Sequence, residues 1–164
     1  YGNARIINQT SGLHERASMH WDNLQFEGNW EQDGRGHLGA GLGVYNQSKL
    51  ANVLHAFALA RRLEGTGVVA NAVQPGVVAT GFSTNNGLFY QLIAPIRRLI
   101  MQSTPESGAA PAIYLASAPE AAAITGEYYA PPQTRKEANP IAYDIEAQEK
   151  LWQISLQHIA AESV

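Results

Sequence analysis

The sequence contains no cysteine among its 164 residues. This absence excludes a disulfide framework, a zinc site with thiolate ligands and a cysteine nucleophile. The five histidines show no spacing typical of metal ligands, so we expect no metal site either. Any chemistry of this chain must therefore use oxygen and nitrogen side chains.

Charge is also scarce, and positive charge is not in surplus. Asp, Glu, Lys and Arg make up 15% of the sequence, with 14 acidic residues against 11 basic ones. A protein that binds nucleic acid mainly through its phosphates usually carries a basic surplus. The composition therefore predicts no nucleic-acid partner.

Long apolar runs are missing as well. No run approaches the roughly 18 residues that a membrane-spanning helix needs, and no secretory signal follows Tyr1. We therefore expect a cytoplasmic protein without a transmembrane segment. Hydrophobic residues still make up 45% of the chain, which is enough to build a core. Because the chain begins with Tyr1 rather than Met, we expect it to be a processed chain or part of a longer one.

Helix and strand patterns follow one another along the chain. The clearest helix begins at Tyr45, because Leu50, Val53, Leu54 and Phe57 recur at helical spacing. Short apolar runs that end at Thr-Ser, Pro-Gly or Pro-Pro indicate buried strands. The predicted elements are strand 4–10, a long loop 12–44, helix 45–64, strand 68–74, a substrate-lid region 82–102, helix 104–118, strand 126–130 and helix 142–160. This order is typical of a single α/β domain with a parallel sheet.

Tyr45 and Lys49 are the strongest chemical signal. Residues four apart lie on one face of a helix. A fixed cation beside a phenol favours the phenolate, and such a phenol can donate a proton to a ketone or accept one from an alcohol. The same spacing is common in surface helices, so the pair alone favours two unrelated surface residues.

Further motifs in one order give the pair a context. They are Thr10-Ser11 at the end of the first strand, Tyr45 and Lys49 in the helix, and Pro75, Gly76 and Thr80 after the second strand. In this combination the sequence resembles the short-chain dehydrogenase/reductase family. The segments 48–54, 61–68, 105–108 and 126–129 are similar to its retinol-dehydrogenase-like branch, so the resemblance covers essentially the whole chain. It implies the C-terminal part of a Rossmann-like doubly wound parallel sheet.

The resemblance also implies roles for individual residues. Tyr45 would be the general acid/base of an NAD(P)(H)-dependent oxidoreductase that interconverts an alcohol and a ketone or aldehyde. Lys49 would stabilise its phenolate and bind the nicotinamide ribose, and Ser11 would orient the substrate oxygen. The residues that would hold the nicotinamide end of the cofactor are Tyr45, Lys49, Pro75, Gly76, Val78 and Thr80. The cofactor would be NAD or NADP, and the branch resemblance favours NADP.

The segment 82–102 corresponds to the family's variable substrate lid. Its apolar residues include Phe82, Leu88 and Phe89, which suggests a small apolar carbonyl or alcohol as substrate. Ordinary packing of a helix explains the same residues equally well.

The first strands of the family fold and its glycine-rich phosphate-binding turn are missing before Ser11. We therefore expect that an N-terminal half of the same fold completes the sheet. A homo-oligomer is a further possible partner arrangement that the sequence leaves open. The alternative function is a truncated or complementing half-domain that is not catalytic by itself.

A glycine motif elsewhere in the chain matches the phosphate-binding pattern by spacing alone. Gly34, Gly36 and Gly39 form G-x-G-x-x-G. The phosphate-binding turn follows a strand and opens a helix, whereas this segment follows a polar stretch and continues into more glycines. We interpret it as an inserted loop.

Overall fold

A computed structural model describes residues 2–27, 36–76 and 104–162 of the chain. These residues form one sheet with helices on both of its faces. The elements are β1 (Arg5–Gln9), a 3₁₀ helix (Gly12–Arg16), α1 (Gly36–Arg62), β2 (Val69–Val73), α2 (Pro105–Ser117), a 3₁₀ helix (Pro119–Ala121), β3 (Tyr128–Ala130), β4 (Thr134–Lys136), a 3₁₀ helix (Pro140–Tyr143) and α3 (Ile145–Glu162). None of these helices is both long and apolar enough to cross a bilayer.

The sheet has the strand order β1-β2-β3-β4. β1 and β3 both pair in parallel with β2, with Ile7 opposite Asn71 and Val73 opposite Tyr129. β4 adds an antiparallel strand at the far edge. The predicted α/β class and parallel pairing are confirmed. β4 was not predicted, because its three residues are all exposed and carry no apolar signal.

The two faces of the sheet carry separate cores. Ala72 and Tyr128 pack with buried residues of α1, whereas Val73 and Tyr129 pack with Leu115 of α2. Successive strand residues point to opposite faces, so β2 and β3 each contribute to both cores. Helices on both faces are the arrangement expected of a doubly wound sheet, of which these residues form part.

α1 confirms the predicted apolar pattern but begins earlier than predicted. The side chains of Leu50, Val53, Leu54, Phe57 and Ala58 are all buried. The helix begins at Gly36 rather than at Tyr45, so the prediction of one loop over 12–44 is wrong. Each glycine disfavours helix by about 1 kcal/mol relative to alanine. Extending an existing helix needs no new nucleus, so the packed part of α1 can continue into this segment.

The interpretation of the G-x-G-x-x-G motif as an inserted loop is corrected by the same observation. Gly36 and Gly39 lie in the first turn of α1 and not in a loop, while Gly34 lies outside the described residues.

α3 packs differently from its apolar pattern. Its buried residues are Ala147 and Gln148, near its start, while Ile145, Leu156 and Ile159 are exposed. The helix meets α1 within its first two turns, where Glu149 pairs with Arg61 and Arg62 and Trp152 stacks on His55.

Candidate active site

The candidate site lies where the two central parallel strands end. β1 ends at Gln9 and β2 at Val73, which are opposite one another in the register. Ser11 and the pair Pro75-Gly76 follow these strand ends directly. In open α/β sheets, ligands bind outside the carboxyl ends of the strands. The sequence-predicted Ser11, Pro75 and Gly76 thus lie at the edge of the sheet where a ligand is expected.

α1 carries Tyr45 and Lys49 past this edge. The Lys49 Nζ lies 5.3 Å from the centre of the Tyr45 ring. Both side chains are half-buried, so they are accessible from one side. The phenol and the ammonium group therefore lie together, as the spacing predicts.

Hydrogen bonds join this part of α1 to the end of β1. The buried Thr10 donates its hydroxyl to the Lys49 carbonyl oxygen at 2.7 Å. Asn52 Nδ2 donates to the Gln9 carbonyl oxygen at 2.9 Å. The chain neighbours of Ser11 are thus bonded to the turn of helix that carries Lys49, which brings the serine and the Tyr45–Lys49 pair to one place.

Gln47 joins the same turn of α1 to the segment after the first 3₁₀ helix. Its side-chain oxygen accepts from the His20 backbone N–H at 2.8 Å, and its Nε2 donates to the Leu24 carbonyl oxygen at 3.2 Å. The side chain is 4% exposed, so both polar ends of a buried amide are satisfied. Leu24 and Trp21 also pack against the core.

Ser11 caps the 3₁₀ helix that follows it. Its Oγ accepts from the Leu13 backbone N–H at 3.4 Å. Its carbonyl oxygen accepts from the backbone N–H of His14 at 3.0 Å and from the ring Nδ1 of His14 at 2.6 Å. A Cβ on Gly12 would lie 2.5 Å from the side-chain oxygen of Gln74, so this turn packs tightly against the end of β2.

His14 and Tyr128 form a buried aromatic pair behind the turn. Both side chains are fully buried, and their rings meet edge to face with centres 4.7 Å apart. Burial lowers the pKa of His14, although its backbone bond to Ser11 and nearby Glu15 oppose this shift. Burial also raises the pKa of Tyr128. Both rings are therefore neutral at neutral pH.

Gly76 adopts a left-handed backbone conformation, with φ of 68°. This conformation favours glycine, because a Cβ would be strained there. The predicted cofactor residues Val78 and Thr80 and the predicted substrate residues Phe82, Leu88 and Phe89 lie outside the described residues. No group of three or more His, Asp or Glu side chains within 2–27, 36–76 and 104–162 is arranged to hold a metal ion.

Known proteins can be aligned with most of this chain. Human retinol dehydrogenase 13 is 35% identical over 165 aligned positions, which cover 98% of this chain and 47% of that protein. Human retinol dehydrogenase 14 is 34% identical over 155 positions, covering 93% of this chain and 43% of that protein. The chain belongs to the short-chain dehydrogenase/reductase family. It spans less than half the length of these curated relatives.

Other matches agree with membership of the short-chain dehydrogenase/reductase family. The chloroplastic short-chain dehydrogenase TIC 32 A of Brassica napus is 35% identical over 116 positions, covering 70% of this chain and 36% of that protein. No family model matches the chain. An uncharacterised protein from Mycobacterium paratuberculosis shares the fold, with a TM-score of 0.60 and 18% identity over 94% of this chain and 50% of that one.

Several polar residues around the candidate site were missed by sequence reasoning. They are Thr10, His14, Gln47, Asn52 and Asn139, which hold backbone groups of the site from inside the molecule. Thr10, His14, Gln47 and Asn139 are buried. The sequence shows these side chains only as polar residues beside apolar runs. That pattern does not reveal which backbone group each one bonds.

Proposed function

We propose that this chain carries the proton-transfer groups of an NAD(P)(H)-dependent oxidoreductase that interconverts an alcohol and a ketone or aldehyde. Its similarity to retinol dehydrogenases supports the class of reaction. The grouping of Tyr45, Lys49 and the Ser11 turn at the carboxyl ends of two parallel strands supports the residue assignment.

The close approach of Lys49 to Tyr45 carries the proposal. The ammonium group lies 5.3 Å from the centre of the Tyr45 ring, so a cation stands beside the side chain that would transfer the proton. Tyr45 can then act as the general acid when a carbonyl is reduced and as the general base when an alcohol is oxidised.

Ser11 complements this proton transfer. Its Oγ uses a lone pair to accept from Leu13 N–H, so the hydroxyl hydrogen remains able to donate. Donation to the substrate oxygen would orient it toward Tyr45 and stabilise the charge that develops on it.

The nicotinamide end of the cofactor fits the groups present. The Lys49 ammonium group and the Tyr45 hydroxyl are suited to ribose hydroxyls, and Gly76 leaves the backbone after β2 without a side chain at the sheet edge. When bound, the nicotinamide supplies or accepts the hydride. Lys49 and Tyr45 would hold its ribose, with Pro75, Gly76, Val78 and Thr80 beside its ring.

The substrate proposal comes from the sequence. Phe82, Leu88 and Phe89 are proposed to line an apolar pocket for a small carbonyl or alcohol, and the rest of the sheet is proposed to come from an N-terminal half of the same fold.

Replacing Tyr45 by phenylalanine tests the proposal in the protein at its natural length. We expect Tyr45→Phe to lower kcat by about a hundred-fold or more, since it removes the proton donor. The Kd for NADPH or NADH should rise by less than about ten-fold, because one ribose hydrogen bond is lost while Lys49 still binds the ribose. The matched control is Tyr114→Phe on α2, which lies on the other face of the sheet against Tyr129. Stopped-flow turnover and cofactor fluorescence titration supply the two readouts.

Two outcomes would contradict the proposal. Turnover that is equal in Tyr45→Phe and wild type would remove Tyr45 from the chemistry. Absence of any NAD(P)H-dependent turnover of apolar aldehydes, ketones or alcohols would favour the non-catalytic half-domain. The same titration on residues 1–164 alone tests the half-domain directly, because a chain that needs a complementing half binds no cofactor by itself.

A further inference from the structure

One amide side chain from the C-terminal part of the chain reaches the turn that carries Ser11. Asn139 Nδ2 lies 3.1 Å from the His14 carbonyl oxygen, 3.2 Å from that of Glu15 and 2.9 Å from that of Ala17. Asn139 is 9% exposed. A single buried amide therefore holds three carbonyl groups of a segment that is distant in sequence.

The orientation of this amide is fixed from its other end. Asn139 caps the 3₁₀ helix Pro140–Tyr143, and its Oδ1 accepts from the Ile141 backbone N–H at 3.1 Å. With the oxygen in that position, the NH₂ group must point toward the three carbonyls. Its two hydrogens are shared among the three oxygens.

The three carbonyls need such a donor. A short 3₁₀ helix leaves the carbonyl groups at its C-terminal end without partners in the helix. In Gly12–Arg16, the His14 carbonyl also accepts from Ala17 N–H at 3.0 Å. Asn139 adds a donor to this carbonyl and to those of Glu15 and Ala17, and losing a donor to a buried carbonyl is costly.

The same turn is bonded to Ser11 at its other end. His14 receives the bond from Asn139 on its carbonyl and gives two bonds to the Ser11 carbonyl, from its backbone N–H and its ring Nδ1. Because the ring donates through Nδ1, the neutral ring carries its proton there. A path of two hydrogen bonds thus leads from Asn139 to the backbone of Ser11.

We propose that Asn139 is a positioning residue that holds the Ser11 hydroxyl in place for the reaction through the turn Gly12–Arg16. The proposal rests on the proposed function of Ser11. Asn139 itself touches neither substrate nor cofactor; it acts through His14 and the backbone of the turn.

A purely local role for Asn139 is the competing explanation. In that case its only importance would be as the cap of the helix Pro140–Tyr143. Asn139→Ser separates the two roles, since serine is an equally good cap but is too short to reach the three carbonyls. Gln148→Ser is the matched control: it removes a buried amide that donates to the Ala142 carbonyl at 2.8 Å, in the same part of the chain but without contact to the serine turn.

The first measurement is hydrogen exchange of the backbone amides of His14 and Ala17 in the protein at its natural length. We expect Asn139→Ser to speed their exchange by about ten-fold or more, because the bonds that close the turn lose their support. We expect Gln148→Ser to leave them unchanged. Equal exchange in Asn139→Ser and wild type would overturn the proposal, whether or not the protein is an enzyme.

The second measurement concerns turnover. Displacing a reacting group by a fraction of an ångström is costly, so we expect kcat to fall by about ten-fold or more in Asn139→Ser, with the KM for the cofactor unchanged. In a Ser11→Ala background, Asn139→Ser should cause no further loss, since its effect passes through Ser11. Multiplicative losses, or an unchanged kcat despite faster exchange, would refute the positioning role. If the wild-type protein shows no activity, the proposed function is refuted. The exchange result then decides whether Asn139 holds the turn.

Discussion

The two halves of α1 are held against the sheet in different ways. Around Tyr45 and Lys49, the helix is fixed by directional hydrogen bonds from Thr10, Gln47 and Asn52 to backbone groups of neighbouring segments. From Val53 onward, contact is mainly apolar, and charge appears only at the exposed end, where Glu149 pairs with two arginines.

This difference means that one half of α1 mainly stabilises the fold and the other mainly fixes the position of the candidate site. Apolar burial gives most of the free energy of folding but tolerates small shifts of the packed surfaces. A hydrogen bond adds little net free energy, but its strict distance and angle fix one register. We therefore expect changes in the apolar half to lower stability and changes in the polar half to lower catalysis.

The largest effect on stability is expected for Leu54→Ala. Leu54 is fully buried in the core between α1 and the sheet. The loss of its side chain and the cavity left behind should cost about 2–5 kcal/mol in free energy of unfolding. Denaturant unfolding measures this cost, and kcat of the fraction that remains folded should stay close to wild type. A large fall of kcat with little loss of stability would mean that the apolar half of α1 serves the geometry of the site rather than stability.

Thr10→Val should do the reverse of Leu54→Ala: it should lower stability little and kcat more. Valine matches threonine in shape but removes the 2.7 Å bond to the Lys49 carbonyl. We expect a loss of about 1 kcal/mol in stability and a fall in kcat larger than that of Leu54→Ala.

The control is Thr125→Val, which removes a hydroxyl that accepts from Ala70 N–H near the start of β2, away from the site. It should cost some stability without lowering kcat. Equal kcat values for Thr10→Val and Thr125→Val would show that the bond to Lys49 does not position the site.

The third prediction concerns pH. Burial lowers the pKa of His14 and of His55 below the ordinary value of 6.5. Below pH 6.5 the unfolded chain binds protons that the folded rings resist, so stability is fully present above this pH and declines as pH falls. Melting temperature measured between about pH 7 and pH 5 should therefore fall on acidification.

His14→Asn should make the decline shallower, because it removes one of the two described histidines whose pKa is lowered. Asparagine still offers an amide donor near the Ser11 carbonyl. His55 contributes to the decline that remains. An identical slope in wild type and His14→Asn would show that His14 does not contribute.

The smallest effect is expected for Glu149→Gln at the end of the apolar half. Glu149 lies 2.6 Å from Arg62 Nη2 and 3.4 Å from Arg61 Nη2, but the groups are exposed. Exposed ion pairs contribute little and are screened by salt. The melting temperature should hardly change at physiological salt. A large decrease that persists in high salt would mean that charge holds this end of α1.

The parts that sequence patterns predicted are those with local repetition. Leu50, Val53, Leu54 and Phe57 repeat at helical spacing, and all four are buried. The strands β1, β2 and β3 each lie within the predicted ranges, since buried apolar runs are bounded by residues typical of turns. Their spacing put Tyr45 and Lys49 on one helix face, the accompanying motifs singled them out as a pair, and the structure places the two side chains together.

The parts that were missed lack such repetition. The start of α1 at Gly36 was hidden by glycines, whose weak helix propensity is overridden by the packed half of the helix. The bonds of Asn139 to the serine turn join distant residues, and a polar side chain that meets a backbone carbonyl leaves no periodic pattern. Sequence can thus indicate the reacting groups, but the groups that position them are found only by three-dimensional contact.

The position of Asn139 in the chain also has a consequence for synthesis. Ribosomes make a protein from its N-terminus at about 5–20 residues per second, so Ser11, Tyr45 and Lys49 emerge well before Tyr128 and Asn139. Until then, the serine turn lacks both its buried aromatic partner and the amide that holds its carbonyls. A nascent or truncated chain that ends before Asn139 would therefore contain the three side chains of the proposed site without the bonds that shape the serine turn.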